Sequence, residues 1–146
     1  MKLLVTGGLG FIGSNFINKV SSIPNSNILN IDSMTYASSP SNISVMENYS
    51  FIHGSIADDD LIGEALESFR PNYIVNFAAE SHVDRSIDNA DSFINTNVIG
   101  TYVLLSQSLS YLRRVKPDLF KFIHISTDEV FGELSLNDDS FNEESN

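Results

Sequence analysis

Met1-Lys2-Leu3-Leu4-Val5-Thr6-Gly7-Gly8-Leu9-Gly10-Phe11-Ile12-Gly13-Ser14 is the stretch whose reading decides the fold. A short apolar run leads into a glycine-rich turn, and Phe11, Phe16, Ile17 and Val20 then recur at helical spacing. That is a strand, a turn and a helix. Gly7 lets the chain turn at the strand end, Gly10 removes a side chain where a pyrophosphate would approach the main chain, and Gly13 lets the helix pack closely on the strand. The first helical turn carries unpaired N–H groups and the positive end of the helix dipole, so it suits an anion. Nineteen residues beyond Gly13, the run Ile28-Leu29-Asn30-Ile31 ends at Asp32. A carboxylate at that distance accepts hydrogen bonds from both ribose hydroxyls, which points to NAD rather than its 2′-phosphorylated form. The competing reading is a tight turn with no ligand; the strand–helix context and the acid weigh against it.

Working outward, Pro24-Asn25-Ser26-Asn27 stops the first helix, and Ile28-Leu29-Asn30-Ile31 makes a second strand. A long polar stretch follows to Asn48, with room for a short helix or for wrapping an adenosine. Ser50-Phe51-Ile52-His53 is a third strand, and Asp58 caps a helix with Leu61, Ile62, Ala65, Leu66 and Phe69 on one face. Pro71 ends that helix. The nearly all-apolar Tyr73-Ile74-Val75-Asn76-Phe77 is a fourth strand, suited to a parallel sheet covered on both faces. Over residues 91–114, Phe93, Ile94, Val98, Tyr102, Leu104, Leu105, Leu109 and Leu112 predict one long helix, with Asn97 and Gly100 interrupting its buried side. Beyond Pro117, Phe120-Lys121-Phe122-Ile123-His124-Ile125-Ser126 is a fifth strand. Strand and helix alternate, which predicts an α/β, doubly wound, Rossmann-like parallel sheet of about five strands in the order 3-2-1-4-5.

The 146 residues are 42% hydrophobic and 18% charged, enough for one domain with a real core, spanning 1–146. No apolar run approaches the ~20 residues of a membrane span, and Lys2 passes straight into a strand rather than a signal peptide. Without cysteine there is no disulfide framework and no thiolate metal site, and the expected compartment is the cytoplasm. A net charge of −11 argues against nucleic-acid binding. An anionic nucleotide would therefore be held by local N–H groups against an unfavourable overall field. Asp58-Asp59-Asp60 reads as a helix N-terminus, and Asp138-Asp139 with Glu143-Glu144 as a solvated loop; no metal site is expected in either.

Ligands of such folds lie outside the carboxyl ends of the strands, where the sheet order switches. After strand four comes Ala78-Ala79-Glu80-Ser81-His82-Val83-Asp84-Arg85-Ser86, whose paired alanines let a cofactor lie against the backbone. After strand five comes Ser126-Thr127-Asp128-Glu129-Val130-Phe131-Gly132, where two adjacent carboxylates and a hydroxyl are expected to face the same crevice. His82 reads as a structural hydrogen-bonding residue and His124 as a core histidine.

These segments, with Asp32…Thr35-Tyr36-Ala37 and Thr96-Asn97…Gly100-Thr101, resemble the dTDP-glucose 4,6-dehydratases. Those enzymes belong to the extended short-chain dehydrogenase/reductase superfamily, which the G-x-x-G-x-x-G spacing also resembles. The resemblance runs through the whole chain but takes in only the N-terminal part of such an enzyme. It implies oxidation of the sugar at C4 through bound NAD, removal of the C5 proton, departure of the C6 hydroxyl, and reduction at C6 that regenerates NAD. By the resemblance Glu129 is the base, Asp128 the acid, and Thr127 hydrogen-bonds the reacting hydroxyl. Two adjacent carboxylates with opposite duties need different environments. Cofactor contacts are implied at Gly7, Gly10, Phe11, Ile12 and Gly13 beside the pyrophosphate, and at Asp32, Ser33, Met34 and Thr35 beside the adenosine ribose. Ser55 and Ile56 stand at the adenine. Phe77, Ala78, Ala79, Glu80, Ser81 and Thr96 stand toward the nicotinamide. Ser81, Asp84 and Thr127 are implied to bind dTDP-glucose, and the family suggests a homodimer.

Two departures from the family pattern fall on the adenosine side. Ser55-Ile56 stands where the family usually has Asp-Ile, and Ser33-Met34-Thr35-Tyr36-Ala37-Ser38-Ser39 stands for Lys-Leu-Thr-Tyr-Ala-Gly-Asn. The family also relies on a Tyr-x-x-x-Lys motif beyond Phe141-Asn142-Glu143. The nearest candidate, Tyr111, has Val115 four residues on and fails. The expectation is a domain cut short before a sixth strand, a substrate domain and its hydride-transfer residues, inactive alone. Two alternatives stay open: another nucleotide-sugar epimerase or dehydratase, where Thr127-Asp128-Glu129 favours dehydration and Ala78 to Ser86 the dTDP type, and a non-catalytic NAD-binding module.

Overall fold

In the computed structural model, which describes residues 1–44, 46–82, 90–134 and 140–145, five parallel strands form one sheet in the order β3-β2-β1-β4-β5. The strands are β1 (Lys2–Thr6), β2 (Asn27–Asp32), β3 (Tyr49–His53), β4 (Tyr73–Asn76) and β5 (Lys121–His124). The predicted class and strand order are both found. The chain winds outward from β1 to β3, then crosses back to β4, so the switch in winding lies between β1 and β4.

Alternation along β1 sends Leu3 and Val5 to one face and Leu4 to the other, and all three are buried. On the first face α1 (Phe11–Val20) packs Ile17 against Leu3, Val5 and Ile28, with Phe16 and Val20 beside them. On the second face α2 (Asp59–Phe69) and the helix before β5 bury Ile62, Ala65, Leu66, Leu104 and Tyr111 over Leu4, Leu29, Ile31 and Ile74. The α2 start is as read: the Asp58 carboxylate accepts from the Leu61 N–H at 3.0 Å, and Asp59 and Asp60 complement the dipole. Arg70 ends the helix in the left-handed region at φ +51, just before Pro71.

The long helix has an unexpected middle. It comprises α3 (Ala90–Phe93), a π-helical stretch (Ile94–Gly100) and α4 (Thr101–Val115). Ile94, Val98, Tyr102, Leu105 and Leu109 are exposed along one face, while Gly100, Val103, Leu104, Ser108 and Tyr111 are buried on the other. Gly100 does not interrupt the buried side; it seats it, since a Cβ there would come within 2.6 Å of Ile56 Cγ1. The Arg114 guanidinium pairs with Glu67 across α4 and α2 on the surface.

β5 is shorter than predicted and forms an edge. Ile123 aligns with Val75, on the α1 side of the sheet, yet is 43% exposed, because the packing around α1 reaches only as far as Tyr73 and Phe77. His124 is accordingly not a core histidine: it is exposed, with Nδ1 lying 3.0 Å from Asn76 Nδ2. Among the described residues, no helix is long and apolar enough to cross a membrane.

Candidate functional site

At the carboxyl end of β1 the chain turns on Gly7, with φ +69 and its N–H donated to the Ile31 carbonyl at 2.9 Å. A Cβ on Gly7 would lie 2.5 Å from Ala78 N, so the glycine turn and the exit from β4 touch backbone to backbone. A Cβ on Gly13 would likewise reach Gly7 O at 2.5 Å, which is the close packing expected of it. Gly10 is different: its added Cβ would meet only Gly7 O, at 3.4 Å, and otherwise open space. The N–H groups of residues 11–13 donate to no group among the described residues, and Gly10 offers no side-chain cap. A bare backbone cradle and free first-turn amides fit a pyrophosphate.

Two buried polar residues of β2 brace this cradle. Asn30, fully buried within an apolar strand, accepts from the Gly8 N–H at 3.0 Å and donates to the Tyr49 hydroxyl at 3.0 Å. Burial pushes the Tyr49 phenol above its ordinary range; the Asn30 bond opposes this and the nearby Asp32 charge adds to it. Asp32 is only 4% exposed. Its Oδ2 accepts from the Leu9 N–H at 2.9 Å, and its Oδ1 from the Met34 N–H and the Ser38 hydroxyl, each at 2.8 Å. The Leu9 carbonyl in turn accepts from Ser39 N at 3.1 Å and Asn42 Nδ2 at 3.0 Å. The polar stretch after β2 is thus tied to the glycine turn, and it holds one 3₁₀ turn (Pro40–Asn42).

The opposite wall follows β4. Asn76 Oδ1 accepts from the Thr6 hydroxyl and, at 3.1 Å, from Ala78 N. The Glu80 N–H donates to Asn97 Oδ1 at 2.9 Å, and Asn97 Nδ2 returns a bond to the Glu80 carbonyl at 2.8 Å. This reciprocal pair fixes the segment after β4 to the π-helical stretch that carries Thr96, and π turns recur at functional sites. The Tyr36 and His82 rings lie 5.7 Å apart, joining the segments after β2 and β4.

The cleft between these walls is lined by Gly7, Gly10, Asp32, Ser33, Thr35, Ser55, Ile56, Phe77, Ala78, Ala79, Glu80 and Thr96, together with Ile31, Ala37, Ser38 and Gly54. The sequence points to the first twelve as site residues and not to the last four. Asn30 and Asn76 each carried a signal, a polar residue inside an apolar strand. Ser38 and Gly54 lie outside any periodic pattern. Phe11 and Ile12 are 81% and 62% exposed, and they offer the cradle amides rather than side chains. Met34, at φ +53, turns its side chain to solvent and gives Asp32 its amide. Ser81 is exposed beyond the lining, and Asp84 lies outside the described residues. Ser55 Oγ accepts from Ala57 N at 3.1 Å.

Thr127, Asp128 and Glu129 follow β5 at the same end of the sheet, exposed and not among the lining residues. Thr127 caps the 3₁₀ turn (Asp128–Phe131): its Oγ1 accepts from Glu129 N and donates to Asp128 Oδ1, both at 3.3 Å. Among the described residues no cluster of three or more His, Asp or Glu side chains is arranged to hold a metal ion.

Residues 4–146 match the family model described as GDP-mannose 4,6 dehydratase. The chain belongs to this family. It is 46% identical over 140 residues to a probable dTDP-glucose 4,6-dehydratase of Sinorhizobium fredii, covering 92% of this chain and 40% of that protein. It is 44% identical over 151 residues to the dTDP-glucose 4,6-dehydratase of Haemophilus influenzae, covering 99% and 45%. A dTDP-glucose 4,6-dehydratase of Streptomyces venezuelae, solved with NAD bound, superposes with a TM-score of 0.86 at 38% identity over 100% of this chain and 45% of that one. The chain therefore spans under half the length of these relatives. The GDP-mannose 4,6 dehydratase family match opens at Leu4, inside β1, and takes in both walls of the cleft.

Proposed function

We propose that this chain binds NAD and forms the cofactor half of a dTDP-glucose 4,6-dehydratase, the lyase that turns dTDP-glucose into its 4-keto-6-deoxy product. The observation that carries the reading is the cleft itself: a Gly10 cradle with free amides at 11–13 on one side, and the buried carboxylate of Asp32 beyond it. The amides hold the pyrophosphate, Asp32 accepts from the adenosine ribose, and Ala78 and Ala79 give the cofactor a flat wall. Bound NAD would supply the acceptance and return of a hydride at the sugar. The names of the curated relatives support dTDP-glucose over the GDP-mannose of the family description.

Thr127, Asp128 and Glu129 are the residues proposed for the sugar end. Glu129 takes the C5 proton, Asp128 gives a proton to the departing C6 hydroxyl, and Thr127 bonds the reacting hydroxyl. Both Thr127 bonds are long at 3.3 Å, so the hydroxyl gives up little on exchanging Asp128 for a sugar. Ser81 and Asp84 are proposed beside the substrate. The exposed apolar stripe of Ile94, Val98, Tyr102, Leu105 and Leu109 supports pairing of the parent enzyme as a homodimer.

Calorimetric titration of the 146-residue polypeptide tests the reading. NAD is expected to bind at least about tenfold more tightly than NADP. No heat of binding to a chain with native circular dichroism overturns it. No tyrosine in residues 1–146 is followed four positions later by lysine. In a coupled assay with dTDP-glucose the polypeptide alone is therefore expected to show no turnover.

A further inference from the structure

We propose that Ser38 is a specificity-determining residue of the cleft: with Asp32 it reads the vicinal diol of an adenosine ribose, each residue taking one hydroxyl. This rests on the dinucleotide reading above. A carboxylate offers about four lone-pair positions, two per oxygen. Asp32 Oδ1 has both filled, by the Met34 N–H and the Ser38 hydroxyl at 2.8 Å, and Oδ2 has one filled, by the Leu9 N–H at 2.9 Å. Among the described residues one acceptor position remains, and a diol needs two.

The second acceptor is Ser38 Oγ. Its hydrogen is committed to Asp32, so its oxygen lone pairs are what it presents, and Ser38 lines the cleft alongside Asp32. A hydroxyl donating to a carboxylate is polarised and accepts more strongly. Its position is set by the turn, with Ser38 N donating to the Thr35 carbonyl at 3.0 Å, and by the neighbouring bond from Ser39 N to Leu9 O at 3.1 Å. A 2′-phosphate has no hydroxyl hydrogen to give there and would meet an acceptor pair backed by a buried negative charge. Ser38 therefore selects for a free 2′-hydroxyl together with Asp32, rather than acting as a spacer in the loop.

The test is calorimetric titration of the full chain and of Ser38→Ala and Ser38→Thr with NAD and NADP, with thermal unfolding of each. Ser38→Ala is expected to weaken NAD by about tenfold, the worth of one hydrogen bond. NADP is expected to change little and the chain to stay folded at the titration temperature with a lowered thermal midpoint, from the donor lost to buried Asp32, while Ser38→Thr, which keeps the hydroxyl, recovers NAD binding. Wild-type NAD affinity in Ser38→Ala overturns the proposal, as does an equal loss for both dinucleotides or failure of a folded Ser38→Thr to recover. If Ser38→Ala does not fold, Ser38→Gly removes the same hydroxyl and carries the comparison; loss of folding in both means the hydroxyl serves the fold and overturns the proposal. A folded wild-type chain that binds no NAD is a separate result, and it removes the dinucleotide reading itself.

Discussion

Gly7 is the residue where local backbone and tertiary contact make the same demand. Its φ of +69 disfavours any side chain, and the space a Cβ needs is taken by Ala78 N at 2.5 Å and Ala78 Cα at 2.6 Å. Relief would have to move the segment after β4 away from the glycine turn, and that segment is one wall of the cleft. Gly7→Ala is expected to cost on the order of 1–3 kcal/mol in urea unfolding, from strain alone, and to abolish NAD heat in a titration. Retention of NAD binding would show that the two walls can separate without harm. The Gly7, Gly10 and Gly13 pattern was legible because it answers a short-range need, and the carboxylate of Asp32 because it closes the next strand at a fixed distance from that turn. The three donors on Asp32 were not, since Leu9 and Ser38 reach it from opposite directions along the chain.

At the scale of elements, α2 is the simplest case. Asp58 at the cap, the buried Ile62, Ala65 and Leu66 on one face and Arg70 before Pro71 are all local features, and the helix begins and ends where they place it. Asp58→Ala removes the acceptor of the Leu61 N–H and is expected to lower stability by about 1 kcal/mol, read as a shift in urea midpoint. NAD affinity should stay unchanged, because α2 does not line the cleft. The helix over residues 90–115 is the contrary case. Its apolar positions predicted a helix correctly, but most of them lie on its exposed face, and hydrophobic spacing gave no sign of the π stretch either. What accompanies it here is tertiary: Asn97 bonded twice to the Glu80 backbone, and Gly100 seated on Ile56. β5 makes the same point. Its apolar run suits a central strand as well as an edge, and its place in the sheet leaves Ile123 and His124 exposed.

For the whole molecule, each sheet face carries a phenol that burial raises, so both faces lose stability at alkaline pH. Burial raises the phenol of Tyr111, with Arg70 opposing and Glu67 adding; Tyr111 packs on Phe120, and its hydroxyl donates to the Pro71 carbonyl at 3.4 Å. Burial likewise raises Tyr49, which packs at the margin of the α1 face. A phenol raised in the folded state keeps its proton where the unfolded chain has lost it. The stability it contributes is fully present below the ordinary value of 10.0 and is lost as pH rises through that value and the raised one above it. Urea unfolding between about pH 8 and 11 is expected to show that decline, and Tyr111→Phe to make it shallower. A slope unchanged in Tyr111→Phe would assign the alkaline loss to other groups.

The sequence by itself determined the α/β class, the strand order, the glycine turn after β1 and the carboxylate at the end of β2. They rest on hydrophobic spacing of two to four residues, on the alternation of strand and helix, on a backbone demand that few residue types meet, and on the fixed distance from the glycine turn to Asp32, and such signals survive in a linear string. Only the tertiary structure decided which segments close around Asp32, which face of the long helix is buried, and that Thr127, Asp128 and Glu129 stand exposed beyond an edge strand. Those outcomes depend on contacts between residues far apart in the chain, such as Leu9 with Asn42, Glu80 with Asn97, and Gly100 with Ile56. Hydrophobic periodicity marks an apolar face, but not what that face meets.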